Sequence, residues 1–455
     1  MSVAVVDTST GLRDRALAAH GALPGAFRKA MIPPMYAIDH PQSLGVASAG
    51  RADDARARPV SGTAGFVASS LRAVWRSGIA TRPVLDGEAM VAHASGLEGH
   101  DDFGPDHWRA PFALLVDALN SEADLNPIGR TLAYGQLMKV LRERLRAHAL
   151  WRTHPEILGT PLGSPIIVLG SMRSGTTRIQ RLLACDDRLV HTRLFESLSP
   201  VPQRARGPAD YRPLQAAAGL AFLHALNPAL AAVHPSGANL PDEEFGLFSF
   251  AFSGAQFQAQ WRIPAFARWW EAQDPIAVYG DFRRLLQTIA WTRGGRSDRP
   301  WVLKAPQFME ELDALLAVFP DARLLCLGRD AVDVVASSCS LVWQQQRIQS
   351  NTPDRHWIGR EWLHKTTHRV RAAAASRAGR PDVAQLAIDF AAVDRDWRGE
   401  IERIYAFLGL EPTSRALAAM QAYLARATGH RGHRYTLEEF GLTREDVHRA
   451  LPNGA

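Results

Sequence analysis

The chain has 455 residues, 46% hydrophobic and 22% charged, which is enough for a large buried core and lacks the bias of a disordered or fibrous polymer. Its formal charge is +6, yet arginines and carboxylates are interspersed rather than gathered into basic runs, so no nucleic-acid partner is expected. Three cysteines in apolar surroundings argue against a disulfide framework or zinc site and favour a reducing, cytoplasmic setting.

The first residues, "MSVAVVDTSTGLRDR", lack the basic start and apolar run of a secretory leader. Residues 44–65 are rich in Ala, Gly, Ser and Arg without periodicity and read as a flexible linker inside an N-terminal extension, 1–110. From Pro111 apolar residues recur at three- and four-residue intervals, which predicts a helical preface over 111–160 to a core domain spanning 111–455. Short β-type runs follow at 166–170, 188–192, 301–305, 323–328 and 383–390, with helical stretches between them. Such alternation predicts an α/β fold: a three-layer parallel sheet covered on both faces, with ligands at the carboxyl ends of the strands. The most apolar stretch, 214–233, is interrupted by Gln215, His224, Asn227 and Pro228 and reads as a helix rather than a membrane span. It opens an insertion, about 214–290, whose aromatics (245–270) are mostly core but could line or cover an apolar acceptor pocket. A segment of about 429–455 closes the chain.

Residues 170–177 read G-S-M-R-S-G-T-T, the phosphate-loop pattern with Thr176 in place of its lysine. A strand ending at Gly170 and a helix opening near Thr176 would converge backbone N–H groups on an anion. Gly175 allows close approach, and Thr176 and Thr177 add hydroxyls and are expected to cap the helix. Without the lysine that reaches the outer phosphates of a nucleoside triphosphate, Arg173 is the nearest cation in the loop.

"RSGTT", Arg173 to Thr177, resembles the phosphosulfate loop of sulfotransferases that use 3′-phosphoadenosine-5′-phosphosulfate, in the arginine variant of bacterial members and protein-tyrosine sulfotransferases. "RLLCLGRDAVDVVASSCSLV", from Arg323, is similar to the family's 3′-phosphate element: a strand, Arg329-Asp330, then a helix bearing Ser337. Ala331 stands where the family usually has proline. The resemblance spans roughly 111–447. It implies a phosphate-loop sulfotransferase fold after a helical N-terminal region, with phosphosulfate held by Arg173, Ser174, Gly175, Thr176 and Thr177 and the 3′-phosphate by Arg329 and Ser337. It also implies a small-molecule hydroxyl acceptor and no metal. "GHRGHRY" is similar to a tail in which basic residues, here His433 and Arg434, close over the nucleotide.

In-line sulfuryl transfer needs cations on the leaving phosphate and a base on the acceptor. Only four of the 52 basic residues are lysine, and Lys304 ends the run "WVLK" at the carboxyl edge of a predicted core strand, which points to a compact charge beside the loop. The family has a strand-end lysine in this region. Arg173 is expected to share its work. Glu196, in "RLVHTRLFESLSP", resembles the glutamate base of arginine-loop members, and His191, His234 and the run Asp242-Glu243-Glu244 compete with it. The D-E-E run also reads as an ordinary helix start. Two further readings stay open: a kinase using Mg-ATP, with Asp389 on the metal, and a non-catalytic nucleotide-binding protein.

Overall fold

Each of the five apolar runs forms a strand: β1 Gly163–Leu169, β2 Val190–His191, β3 Pro300–Leu303, β4 Arg323–Gly328 and β5 Gln385–Asp389. They pair in the order β2-β3-β1-β4-β5, every neighbour parallel. The computed structural model describes residues 60–202, 210–233, 235–295, 298–426 and 435–452, all within one compact unit, Asp53–Ala455.

Strand side chains alternate between faces, and here both faces are apolar. Ile167, Leu169, Trp301 and Leu303 enter one core, whereas Ile166, Val168 and Val302 enter the other. The first is covered by the end of the long helix Pro127–Thr153 and by Ile276–Thr292; the second by Thr176–Leu183 and Trp397–Leu408. This is the three-layer sandwich expected of a parallel sheet. The chain leaves β1 toward one edge and returns to build the other side, so a crevice opens beyond the carboxyl end of β1.

Four helices precede the sheet: α1 Gly62–Arg76, α2 Gly87–Glu98, α3 Arg109–Ser121 and α4 Pro127–Thr153. Both α1 and α2 pack on α4, so the compact unit extends well before residue 110, where a domain start was expected. The end of the expected linker is also ordered, since Ser61 caps α1 by accepting the N–H of Ala64 at 3.0 Å.

The aromatics of the insertion are largely core, as their density suggested. Phe252, Phe257, Trp261 and Phe266 share a core with Met90, Trp108, Phe112 and Leu137 of the preceding helical region. Each such ring contributes about 1.5–3 kcal/mol through burial, so the insertion anchors the helical preface to the sheet domain. Among the described residues, no helix is long and apolar enough to cross a membrane.

Candidate active site

The loop after β1 leads into α5, Thr176–Leu183. Gly175 occupies the cap position with φ +96°, and a Cβ there would lie 2.1 Å from the Phe390 ring, so only glycine fits. The threonines therefore do not cap the helix; no side chain does. Arg178 N–H turns back to the Gly175 carbonyl at 2.9 Å, which leaves the Thr176 and Thr177 amides, ahead of any intrahelical carbonyl, available to an anion. Arg173 also adopts a positive φ, 72°, which costs about 1–3 kcal/mol outside glycine and occurs where a functional geometry demands it. Ser174 Oγ is buried without a hydrogen-bond partner among the described residues. The loop thus offers polar groups and a close backbone, as a bound phosphate ester requires.

The next helix element to matter is α6, Ala331–Gln349, entered from β4 and capped by Asp330, which accepts the Asp333 N–H at 3.1 Å. Ser337 lies on it and accepts a hydrogen bond from Arg173 Nε at 3.0 Å. Arg329, at the β4 exit, donates to the Arg173 carbonyl at 3.0 Å, pairs with Asp333 at 3.1 Å and lies 4.8 Å over the Phe390 ring. The loop and the Arg329–Ser337 element, far apart in sequence, therefore meet through Arg173. Burial, and secondarily Arg329, lowers the Arg173 pKa, while Tyr435 and Glu243 oppose that. Tyr435 directly follows His433 and Arg434, which lie outside the described residues, as does His234.

Lys304 emerges from β3, the neighbour of β1, and is 1% exposed. Its Nζ donates to Thr177 Oγ1 at 3.1 Å and forms an ion pair with Glu243. Glu244, fully buried, accepts the Lys304 backbone N–H at 2.8 Å. Burial pushes its pKa up to about 8 against the pull of the Lys304 N–H, the Lys304 charge and the Thr192 hydroxyl. The D-E-E run reaches this place because Pro241 bridges Arg193 and the Asp242 N–H bonds the Thr192 carbonyl at 3.2 Å, just past β2. Of the competing carboxylates it is Glu243 that meets Lys304, because this acidic run lies in the crossover that returns to the carboxyl edge of the sheet.

Glu196 has another occupation. Its Oε1 accepts Arg293 Nε at 2.8 Å, and its Oε2 takes both the same guanidinium and the Arg193 N–H, the latter at 2.9 Å. Arg293 also donates to the His191 carbonyl at 3.0 Å and stands over Trp301, at the opposite end of β3 from Lys304. Both oxygens of Glu196 are thus engaged by a cation and a helix start. His191 is half-buried, and desolvation together with the nearby Arg293 and Arg193 charges lowers its pKa to about 4 and keeps the imidazole neutral. Asp389, the metal ligand of the kinase reading, instead caps the following helix by accepting the Ala391 N–H at 3.1 Å.

A central parallel strand, a glycine-bearing loop on a helix N-terminus and a lysine from the adjacent strand define a phosphate-loop α/β protein. Within that class the chain belongs to the sulfotransferase family, whose sequence profile matches residues 165–414. It is similar to the crystal structures of sulfotransferase STF1 from Mycobacterium tuberculosis (28% identity, TM-score 0.70, 80% of this chain and 98% of that one) and STF9 from Mycobacterium avium (27%, 0.70, 82% and 96%). Among curated proteins none matches.

Proposed function

We propose that the protein transfers a sulfuryl group from 3′-phosphoadenosine-5′-phosphosulfate to the hydroxyl of a small-molecule acceptor. The observation that carries this reading is the bridge from Lys304 Nζ to Thr177 in the phosphate loop and to Glu243, a cation and a carboxylate meeting at one helix N-terminus. The loop amides, Ser174 and the two threonine hydroxyls would hold the 5′-phosphosulfate. Arg329 and Ser337 would hold the 3′-phosphate, which a triphosphate-using kinase does not require.

In this reading Glu243 takes the proton from the acceptor hydroxyl, and Lys304 and Arg173 stabilise the charge that grows on the leaving phosphate oxygen. A strand-end lysine suits this work because its charge is compact and its stem is immobilised by burial. The insertion's aromatics, spent on the core, no longer support an apolar acceptor in particular.

Calorimetric titration with adenosine-3′,5′-bisphosphate, in parallel with ATP with and without magnesium, tests the proposal. Metal-independent binding of the bisphosphate is the expected result. Preference for Mg-ATP would overturn it.

A further inference from the structure

We infer that Glu244 is a positioning residue that, with Glu243, clamps Lys304 at both ends, one carboxyl on its main chain and the other on its ammonium. This rests on the sulfuryl-transfer reading above.

The geometry starts from the end of β3. The last register pair between β1 and β3 is Ile167 with Leu303, so Lys304 lies one residue beyond the ladder. Its N–H is taken by Glu244 Oε2 at 2.8 Å, and thus a side chain replaces the missing strand neighbour. The preceding residue, Glu243, holds Nζ of the same lysine. Two consecutive residues of one crossover therefore fix where the lysine leaves the sheet and where its charge ends. A shift of about 1 Å at a reacting group can lower a rate roughly 10²-fold, which gives such a clamp a catalytic consequence.

The two carboxyls differ in burial. Glu244 is completely enclosed, whereas the side chain of Glu243 retains 13% exposure. The charged groups around the pair are Lys304 from β3, Arg173 from the loop after β1, whose charge interacts with Glu243, and Asp242 in the same crossover. From α5, Gln180 donates to the Asp242 carbonyl at 3.1 Å and carries no charge. With burial holding Glu244 protonated up to about pH 8, the lysine faces one carboxylate rather than two. Its positive charge is then not over-neutralised where the leaving oxygen must be stabilised.

The test uses the full chain with Glu244→Gln and Glu244→Ala. Infrared difference spectra, wild type minus Glu244→Gln, should contain a protonated-carboxyl stretch at pH 6.5 that vanishes at pH 9.5. In sulfuryl exchange from 4-nitrophenyl sulfate to adenosine-3′,5′-bisphosphate, Glu244→Gln should retain kcat within a few-fold at pH 7 and lose the alkaline decline near pH 8. Glu244→Ala should lose about 10²-fold in kcat with little change in KM, as misplacement predicts. No infrared difference, an alkaline limb unchanged in Glu244→Gln, or wild-type kcat in Glu244→Ala would each overturn the inference. If the alanine variant fails to fold, the glutamine variant and the spectra decide alone. Failure of the wild type to bind the bisphosphate would instead strike the sulfotransferase reading, which calorimetry reports separately.

Discussion

The two halves of the site are built in opposite ways. On the proposed nucleotide side, each group sits within nine residues of a strand end: Arg173 to Thr177 after β1, and Arg329 with Ser337 after β4. On the acceptor side, Lys304 follows β3 in the same manner, but its partners Glu243 and Glu244 arrive from a crossover about 60 residues earlier. The nucleotide side is a product of local strand-loop-helix geometry, whereas the acceptor side depends on tertiary packing of a connecting segment. Functionally, the first should govern binding and the second turnover.

The largest break in that division is expected at Glu243→Gln, which removes the base while keeping the shape. Turnover should fall by about 10²–10⁴, with bisphosphate affinity measured by calorimetry nearly unchanged. A loss of affinity without a loss of rate would reverse the assignment of the two halves. Lys304→Ala should follow, with a drop of roughly 10²–10³ in kcat through lost stabilisation of the leaving oxygen. Single-turnover assays with labelled donor distinguish this from slow product release. Glu196→Gln sharpens the contrast from outside the site, because its partner is Arg293 rather than a reacting group. We expect kcat within a few-fold of wild type but a loss of about 2–3 kcal/mol in chemical denaturation, reduced from a fully buried pair because Arg293 is a quarter exposed.

This contrast also explains what could be read from the residues in order. All five strands were legible because each is a short apolar run between helical stretches, and β4 even keeps its expected ends, Arg323–Gly328. The loop was legible because its groups are neighbours in sequence. The Glu243 partnership was not, since nothing local distinguishes an acidic residue that starts a helix from one that meets a lysine across the sheet edge. The partner of Glu196 was hidden for the same reason: its distance from Arg173 matched a family pattern, but Arg293, which binds its carboxylate, lies about a hundred residues away. The start of the compact unit was obscured because α1 and α2 owe their place to packing on α4, which periodicity alone does not reveal.

Smaller effects should appear on the nucleotide side and in affinity. Arg329→Ala removes the charged donor that the proposal assigns to the 3′-phosphate and also the tie to the Arg173 carbonyl. Charged hydrogen bonds contribute about 1.5–3 kcal/mol, so bisphosphate binding should weaken about 10- to 100-fold. A parallel titration with adenosine-5′-monophosphate should be affected much less, because it lacks the group Arg329 is assigned to hold. Equal losses for both ligands would mean that Arg329 acts only by shaping the loop.

The smallest effect, Ser337→Ala, carries the most information about how the two nucleotide elements cooperate. Ser337 accepts from Arg173 at 3.0 Å, so under the proposal the serine would contribute both by contacting ligand and by aiming the loop arginine. Loss of one neutral hydrogen bond predicts a weakening of about 1 kcal/mol, roughly five-fold. The decisive measurement is the cycle with Arg173→Ala. If the serine works partly through the arginine, the double variant should lose less affinity than the two single losses combined, because part of the second loss has already been incurred. Coupled neighbours typically differ from additivity by about 0.5–3 kcal/mol. Strict additivity would show that the 5′ and 3′ elements bind their phosphates independently, and that the Arg173–Ser337 contact belongs to the free protein alone.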